Sequence, residues 1–368
     1  MRLAKAILLR LLFGGFSLLF ISFVTFVAGA LSPGDPATIL GGEKASLATI
    51  QQIRHNLMLD RPWPEQYWRY LTHTAQGDFG VSYYSTHEPV RDILARTIPM
   101  TLKMATEAII LASALGIFFG ALAAVYEKRG IIPSTKLGRA IHKCLAASWA
   151  LGILELCTGN LHWAIPTMCA TIPLTILTFV YFTDESILTL STLGVTTPNF
   201  VLAPILVYIF VQKLDRLPLT WQIPLSAPEY MYFILPVTIL AARPAALITR
   251  LTRASMIDTL DQEFIRTAVA KGVPRGRLLF RHALRNAILP VITAIGTSFG
   301  FLLTGSFVLE RYFLMPGLGS TVIEAIQQID MPVVQAGVLV TGAMFIVLNL
   351  GVDMLLPILD PRIRESQI

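Results

Sequence analysis

Apolar residues fill this chain in long runs rather than in alternation. Nearly unbroken apolar stretches cover residues 11–31, 99–125, 187–211, 232–251, 287–308 and 332–356. Each has about the 20 residues that an α-helix needs to cross a ~30 Å hydrocarbon layer. In lipid, only helices and closed barrels satisfy every backbone N–H and C=O group. The ~10-residue alternation of a barrel strand is missing. The pattern predicts an all-α polytopic membrane protein.

Two regions fall outside this scheme. Residues 32–97 form the one sizeable polar segment, too poor in apolar residues to build a large core alone. Within it Ile50, Ile53 and Leu57 share a helical face, and RPWPEQYWRYL predicts a second short helix with Pro64 in its first turn. The insertion 140–186 holds two segments of about spanning length, AIHKCLAASWALGILELCTG and LHWAIPTMCATIPLTILTFVYF, separated by Gly159-Asn160. Either they cross as a hairpin or both lie at the interface; we expect the hairpin, for eight spans in total. Lys143, Glu155 and His162 weigh against the crossing of these segments, and no internal repeat is visible.

Charge sets the orientation. The chain is 54% hydrophobic and 14% charged, with a net charge of +6 whose basic residues cluster between the apolar runs. That fits membrane orientation and not nucleic-acid binding. Arg2, Lys5 and Arg10 place the N-terminus in the cytoplasm. Ala28-Gly29-Ala30 resembles a signal-peptidase site, but the run before it exceeds the ~7–15 residues of a signal core. We therefore expect an uncleaved first helix, residues 1–31. Asp35, Glu43, Asp60, Glu65, Asp78, Glu88 and Asp92 tilt the 32–97 segment acidic, hence external. Lys128, Arg129, Lys136, Arg139 and Lys143 mark a cytoplasmic loop, and so do the basic residues of 253–286. A single crossing within 140–186 would put that second loop outside, so only two crossings or none are allowed. The tail, 357–368, is cytoplasmic. Cys144, Cys157 and Cys169 form no ligand set or disulfide framework.

The informative stretch is EFIRTAVAKGVPRGRLLFRHALRNAILP, residues 263–290. Glu263 to Lys271 has helix-forming composition, Gly272 suits a left-handed helix closure, and Pro274 suits the first turn of the next helix. Arg275, Arg277, Arg281 and Arg285 follow as a basic lead-in to the span at 287. This predicts a short surface helix, a sharp turn and a basic amphipathic segment. Charge alone would fit any cytoplasmic loop; the order of residues is more specific.

That order resembles the coupling loop of ABC-importer permeases, in particular the oligopeptide/dipeptide/nickel permease family. The family's Glu-Ala-Ala-x-x-x-Gly signature falls on Arg266-Thr267-Ala268, with Gly272 as its glycine. Its usual Ala-Arg-Ala-Lys-Gly reads Ala-Val-Ala-Lys-Gly here, Val269 being the departure, and His282-Ala283-Leu284-Arg285 stands at the Ile-x-Leu-Pro element. Further matches follow in order: LSPGDP, LDRPWPEQYWRYL, GDFGVS, TIPMTLKMA, TTPNFVLAPIL, LPVTILAARPAALITRLTRASM, MPGLGSTVIEAI, DMPVVQAGVL and NLGVDMLLPILDPRIR. Residues 140–186 match nothing in that family.

The resemblance implies a type I permease core of six transmembrane helices within 98–356, in a bacterial inner (plasma) membrane. The long external segment implies one of two homologous permease subunits, paired with the second. Two ATPase subunits and an extracytoplasmic solute-binding protein complete the expected complex, with peptides or similar small solutes, or nickel, as cargo. Coupling to the ATPase would run through Glu263, Arg266, Thr267, Ala268, Ala270, Lys271 and Gly272. The chain has no G-x-x-x-x-G-K-[ST] phosphate loop, so ATP and magnesium belong on the partners and no catalytic residue or cofactor is expected here.

Other polar residues offer less. Arg243, beside Pro244 within the run from Tyr232, either lines the translocation path or pairs structurally, snorkelling toward the Arg250 end. Asn349 and Asp353, one turn apart, suit a bond between helices. Lys103 and Glu107 suit a solvated pair near the external end. Gly317 and Gly319 read as a tight external turn. The six histidines show no HExxH pairing, which argues against a metal site. A secondary transporter or a polytopic membrane enzyme is the alternative. The first should show acidic relay residues or related halves, the second a clustered acid, base or metal set, and neither pattern is present.

Overall fold

The computed structural model describes residues 2–31, 35–42, 45–84, 88–129, 183–223 and 225–359. Its helices are α1 (Arg2–Ala30), α2 (Pro36–Gly41), α3 (Leu47–Asn56), α4 (Trp63–Ala75) and α5 (Val90–Arg129). After residue 182 come α6 (Thr183–Thr196), α7 (Asn199–Val207) with a π turn (Tyr208–Lys213), and α8 (Glu229–Leu260). Then follow α9 (Glu263–Ala270), α10 (Arg275–Arg277) with a π turn (Leu278–Ala283), α11 (Leu284–Tyr312), α12 (Leu318–Gln328) and α13 (Met331–Leu359). Five of the described helices, α1, α5, α8, α11 and α13, are long and apolar enough to cross a membrane.

The expected span 187–211 is not one continuous helix. It breaks between α6 and α7, at Thr197 and Pro198. Proline lacks an N–H and drives the residue before it out of the helical region, so an apolar run of sufficient length still divides there. By contrast α5 continues through Pro99, and α8 runs through Pro236 and Pro244. The expected loop 253–286 is mostly helical: α8 extends to Leu260 and only short turns separate α9 and α10. The hairpin expected within 140–182 lies outside the described residues.

The chain divides into two compact units. The first comprises Met1–Leu111, Pro198–Ala241 and Ile292–Ile368. In it α1 and α13 pack antiparallel, with Gly14 against Ile346, Ile21 against Gly342 and Gly29 against Gln335. Arg10 and Asp353 close one end of this pair at 2.8 Å. Asp353 thus bonds helix to helix, and its partner is Arg10 rather than Asn349. Val90, Ile93 and Leu94 of α5 pack with Leu318, Val322 and Ala325 of α12 and with Val333 and Ala336 of α13.

The residues after α4 are tied down by a buried carboxylate. Asp330 accepts the Ser82 hydroxyl and, at 3.0 Å, the Tyr83 backbone N–H. Lys103 pairs with Glu229 at 2.6 Å, not with Glu107, and lies 4.2 Å over the Phe233 ring. Gly317 closes a tight turn onto the Met315 carbonyl at 2.8 Å, and the two glycines lead directly into a helix. They begin α12, where Gly317 is the N-cap.

The second unit comprises Ala112–Thr197 and Ala242–Val291. Here α5 and α8 approach closely at Gly116 and Gly120. A Cβ on Gly120 would sit 2.5 Å from the Thr249 carbonyl oxygen. Small residues four apart let membrane helices come this near, where van der Waals contact does most of the holding. Ala124, Met256, Ile265, Ala268, Leu278, Ala283 and Ala287 form the cluster that seats α9.

Candidate functional site

The helix α9 has two unlike faces. Ile265 and Ala268, three residues apart, are buried against Met256, Leu278 and Ala287. Glu263, Arg266, Thr267, Ala270, Lys271 and Gly272 are exposed. Of the seven residues expected to couple, only Ala268 (9% exposed) turns inward, so its part is to seat the helix. Arg266 bonds to Glu263 at 2.8 Å and the Thr267 hydroxyl to the Glu263 carbonyl at 3.0 Å, which ties the outer face to itself.

The end of α9 is closed by backbone geometry. The Val273 N–H reaches the Ala268 carbonyl at 3.2 Å and the Gly272 N–H reaches that of Val269 at 2.9 Å. Gly272 holds φ +72°. These two bonds form a Schellman closure, which needs a left-handed residue at that position. Glycine adopts it without the Cβ penalty. Pro274 then caps the next helix at φ −63°, one residue before its first turn. The result is a rigid surface helix held on an apolar seat.

Sequence reasoning missed the apolar part of the exposed surface. Phe264, Val269 and Phe280 are 43%, 56% and 73% exposed. The signal available was that Phe264 and Val269 fall off the stripe set by Ile265 and Ala268. Phe280 lies in the π turn, an irregularity found often at functional positions.

Arg243 stands apart. In α1, α5, α11 and α13 uncharged stretches run over 11–34, 108–126, 286–309 and 331–352. In α8 the corresponding stretch, 230–249, is interrupted by Arg243. The side chain is exposed, and no hydrogen bond or ion pair joins it to another described residue. An arginine at such depth costs at least ~2.5–3.5 kcal/mol unless it meets water, an anion or a partner.

Comparison with known proteins gives this geometry its context. Residues 172–365 match the model of the binding-protein-dependent transport system inner membrane component, and 3–105 match the N-terminal model of the same transport systems. The glutathione transport system permease protein GsiC of Pectobacterium atrosepticum is 34% identical over 351 residues, covering 95% of each chain. GsiC of Salmonella paratyphi A is 34% identical and that of Escherichia coli K12 is 32% identical, each over 348 residues and 95% of both chains. The chain belongs to the binding-protein-dependent ABC-importer permeases.

This permease is an inner-membrane, multi-pass transport component of the oligopeptide/dipeptide type, and not an enzyme. ATPase and solute-binding partners go with that assignment. The secondary-transporter and membrane-enzyme alternatives are set aside. The two family matches leave 106–171 between them, which takes in most of the stretch 140–186; its last part, from 172, falls within the second match.

Proposed function

We propose that this permease forms half of a translocation path for small peptides of the glutathione type, paired with a second homologous permease above two ATPase subunits. The N- and C-termini lie in the cytoplasm, and an extracytoplasmic binding protein delivers the solute. The names of the relatives, which share 95% of their length with this chain, support glutathione-like peptides over nickel.

The observation that carries coupling is α9, seated by Ile265 and Ala268 and closed at Gly272. A surface helix so held transmits a push from a docked ATPase to α8 and α11 instead of absorbing it. Glu263, Arg266, Thr267, Ala270, Lys271 and Gly272 lie on the docking side, with Phe264 and Val269 as apolar contacts. Arg243 lines the path and attracts solute carboxylates in passing.

The test is reconstitution of the permease pair with its ATPase subunits in proteoliposomes. Uptake of labelled glutathione should require both ATP and loaded binding protein. Uptake of nickel with no peptide uptake would overturn the solute class, and uptake without ATP would overturn the coupling.

A further inference from the structure

The helix α4 lies in the segment that the sequence places outside the membrane, yet its contacts are with the middle of α1. The Tyr67 hydroxyl is 2.9 Å from Ser22 Oγ and 3.3 Å from the Leu19 carbonyl. The Tyr67 ring packs on Phe23 and Phe26 at 5.6 and 5.3 Å, and Tyr70 on Phe26 at 6.0 Å. Ser22 is about 12 Å below Ala30 along the helix, at 1.5 Å per residue.

The depth of Ser22 follows from α13. Arg10 and Asp353 end the uncharged stretches 11–34 and 331–352 on one side, and Ile21 meets Gly342 near the centre of both. A ~30 Å hydrocarbon layer starting at that ion pair reaches about residue 30. The face of α4 that carries Tyr67 and Tyr70 is therefore at hydrocarbon depth, in the half of the layer nearer Ala30.

The opposite face of α4 is not one that lipid tails can cover. Glu65, Trp68, Arg69 and Thr72 follow i, i+3, i+4, i+7 spacing, and with Met58 and His73 they line an open hollow of about 730 Å³. Trp68 is 68% exposed, and the Glu65 and His73 side chains are 61% and 47% exposed. Arg69 is half-buried, and its Nη1 is buried without a hydrogen-bond partner among the described residues. Ionisable side chains at membrane depth face water-filled space or other protein.

We propose that α4 is a wall of the wet outer vestibule and that its hollow is a transient site for zwitterionic peptide-like solutes. Glu65 meets the ammonium group, Arg69 meets the carboxylate, and the Trp68 indole covers the apolar middle. The choice of solute rests on the peptide-transport reading above; the placement of α4 does not.

Two measurements on the assembled complex separate these parts. Spin labels are placed by Trp68→Cys and, separately, Thr72→Cys, in a background lacking Cys144, Cys157 and Cys169. A wet wall predicts strong relaxation by a water-soluble nickel chelate and weak relaxation by oxygen. Oxygen accessibility without chelate accessibility would place the face in lipid; inaccessibility to both would place it under the second permease. Either outcome overturns the vestibule.

The solute site is read from import ratios. Glu65→Gln should lower the preference for a free-amine peptide over its N-acetyl form by about tenfold, the weight of one charge-assisted hydrogen bond. Arg69→Gln should do the same for the free carboxylate over the amide. Unchanged ratios with normal import would overturn the site, whereas absence of peptide import in the parent complex would overturn the transport reading and leave the spin-label result standing.

Discussion

Glu310 and Gly319 are joined across the start of α12: the buried carboxylate accepts the Gly319 N–H at 2.7 Å. The same oxygen takes the Ser320 N–H at 3.2 Å, the other oxygen takes the Ser306 hydroxyl at 2.9 Å, and Leu318 N–H bonds to Thr101 Oγ at 2.8 Å. A carboxylate from α11 thus satisfies the free N–H groups of another helix, where the helix dipole favours negative charge. A Cβ on Gly317 would lie 2.3 Å from Glu310 Oε2, so glycine is what lets the two close.

Glu310→Ala should therefore leave two backbone donors buried and unpaired, at a cost of about 1–3 kcal/mol each. The purified complex should melt several degrees lower, and Glu310→Gln, which keeps an acceptor, should lose less. Unchanged melting of the alanine variant would overturn the anchoring role.

Gly272→Val tests coupling. The space around Gly272 is open, so the variant suffers no clash, only the strain of a β-branched residue at φ +72°. That strain is about 1–2 kcal/mol, enough to loosen the closure of α9 without unfolding the chain. Membrane insertion should stay normal while transport falls and ATP hydrolysis loses its dependence on the binding protein. Wild-type coupling would exclude α9 as the docking element.

Arg243→Gln tests the path. Assembly and stimulated ATP hydrolysis should persist, while import of anionic solutes slows more than that of cationic ones. Equal slowing of both, or loss of the assembled complex, would assign Arg243 to structure.

Cysteine labelling in intact cells tests the insertion. In a background without Cys144, Cys157 and Cys169, a cysteine at Asn160 should react with an impermeant outside reagent, and cysteines at Lys136 and Asp184 should not. Protection of position 160 would replace the crossing hairpin with an interfacial pair.

Burial, with a smaller contribution from Asp330, pushes the Tyr83 hydroxyl from 10.0 up to about 12. The folded state holds this proton more tightly than the unfolded chain does. Its contribution is complete below pH 10 and is lost as the pH rises to about 12. Ultraviolet titration of the parent and of Tyr83→Phe should differ by a late tyrosinate transition that the variant lacks; a difference centred near 10 would place Tyr83 in water.

The sequence by itself determined the features that depend on neighbouring residues. Five of six apolar runs became long helices, because a run of about 20 apolar residues has few other ways to satisfy its backbone in lipid. The bounds of α9 were legible because Gly272 and Pro274 act locally, one by admitting a left-handed φ and the other by fixing its own φ. Pro198 was as visible as these. Length alone does not say which prolines a helix tolerates: Pro99 and Pro244 stay helical, and Pro198 does not.

What only the tertiary structure decided are pairings between distant positions. Asp330 meets Ser82 across 248 residues, Lys103 meets Glu229 across 126, and Tyr67 meets Ser22 across 45. Charge and spacing gave Lys103 a nearer candidate in Glu107, and for Asp353 they pointed to a bond between helices without naming Arg10. Both partners are distant, since helix packing rather than sequence separation brings side chains together. The seat of α4 has the same origin: its polar composition predicts an external segment, and only the tertiary structure shows it packed on the middle of α1.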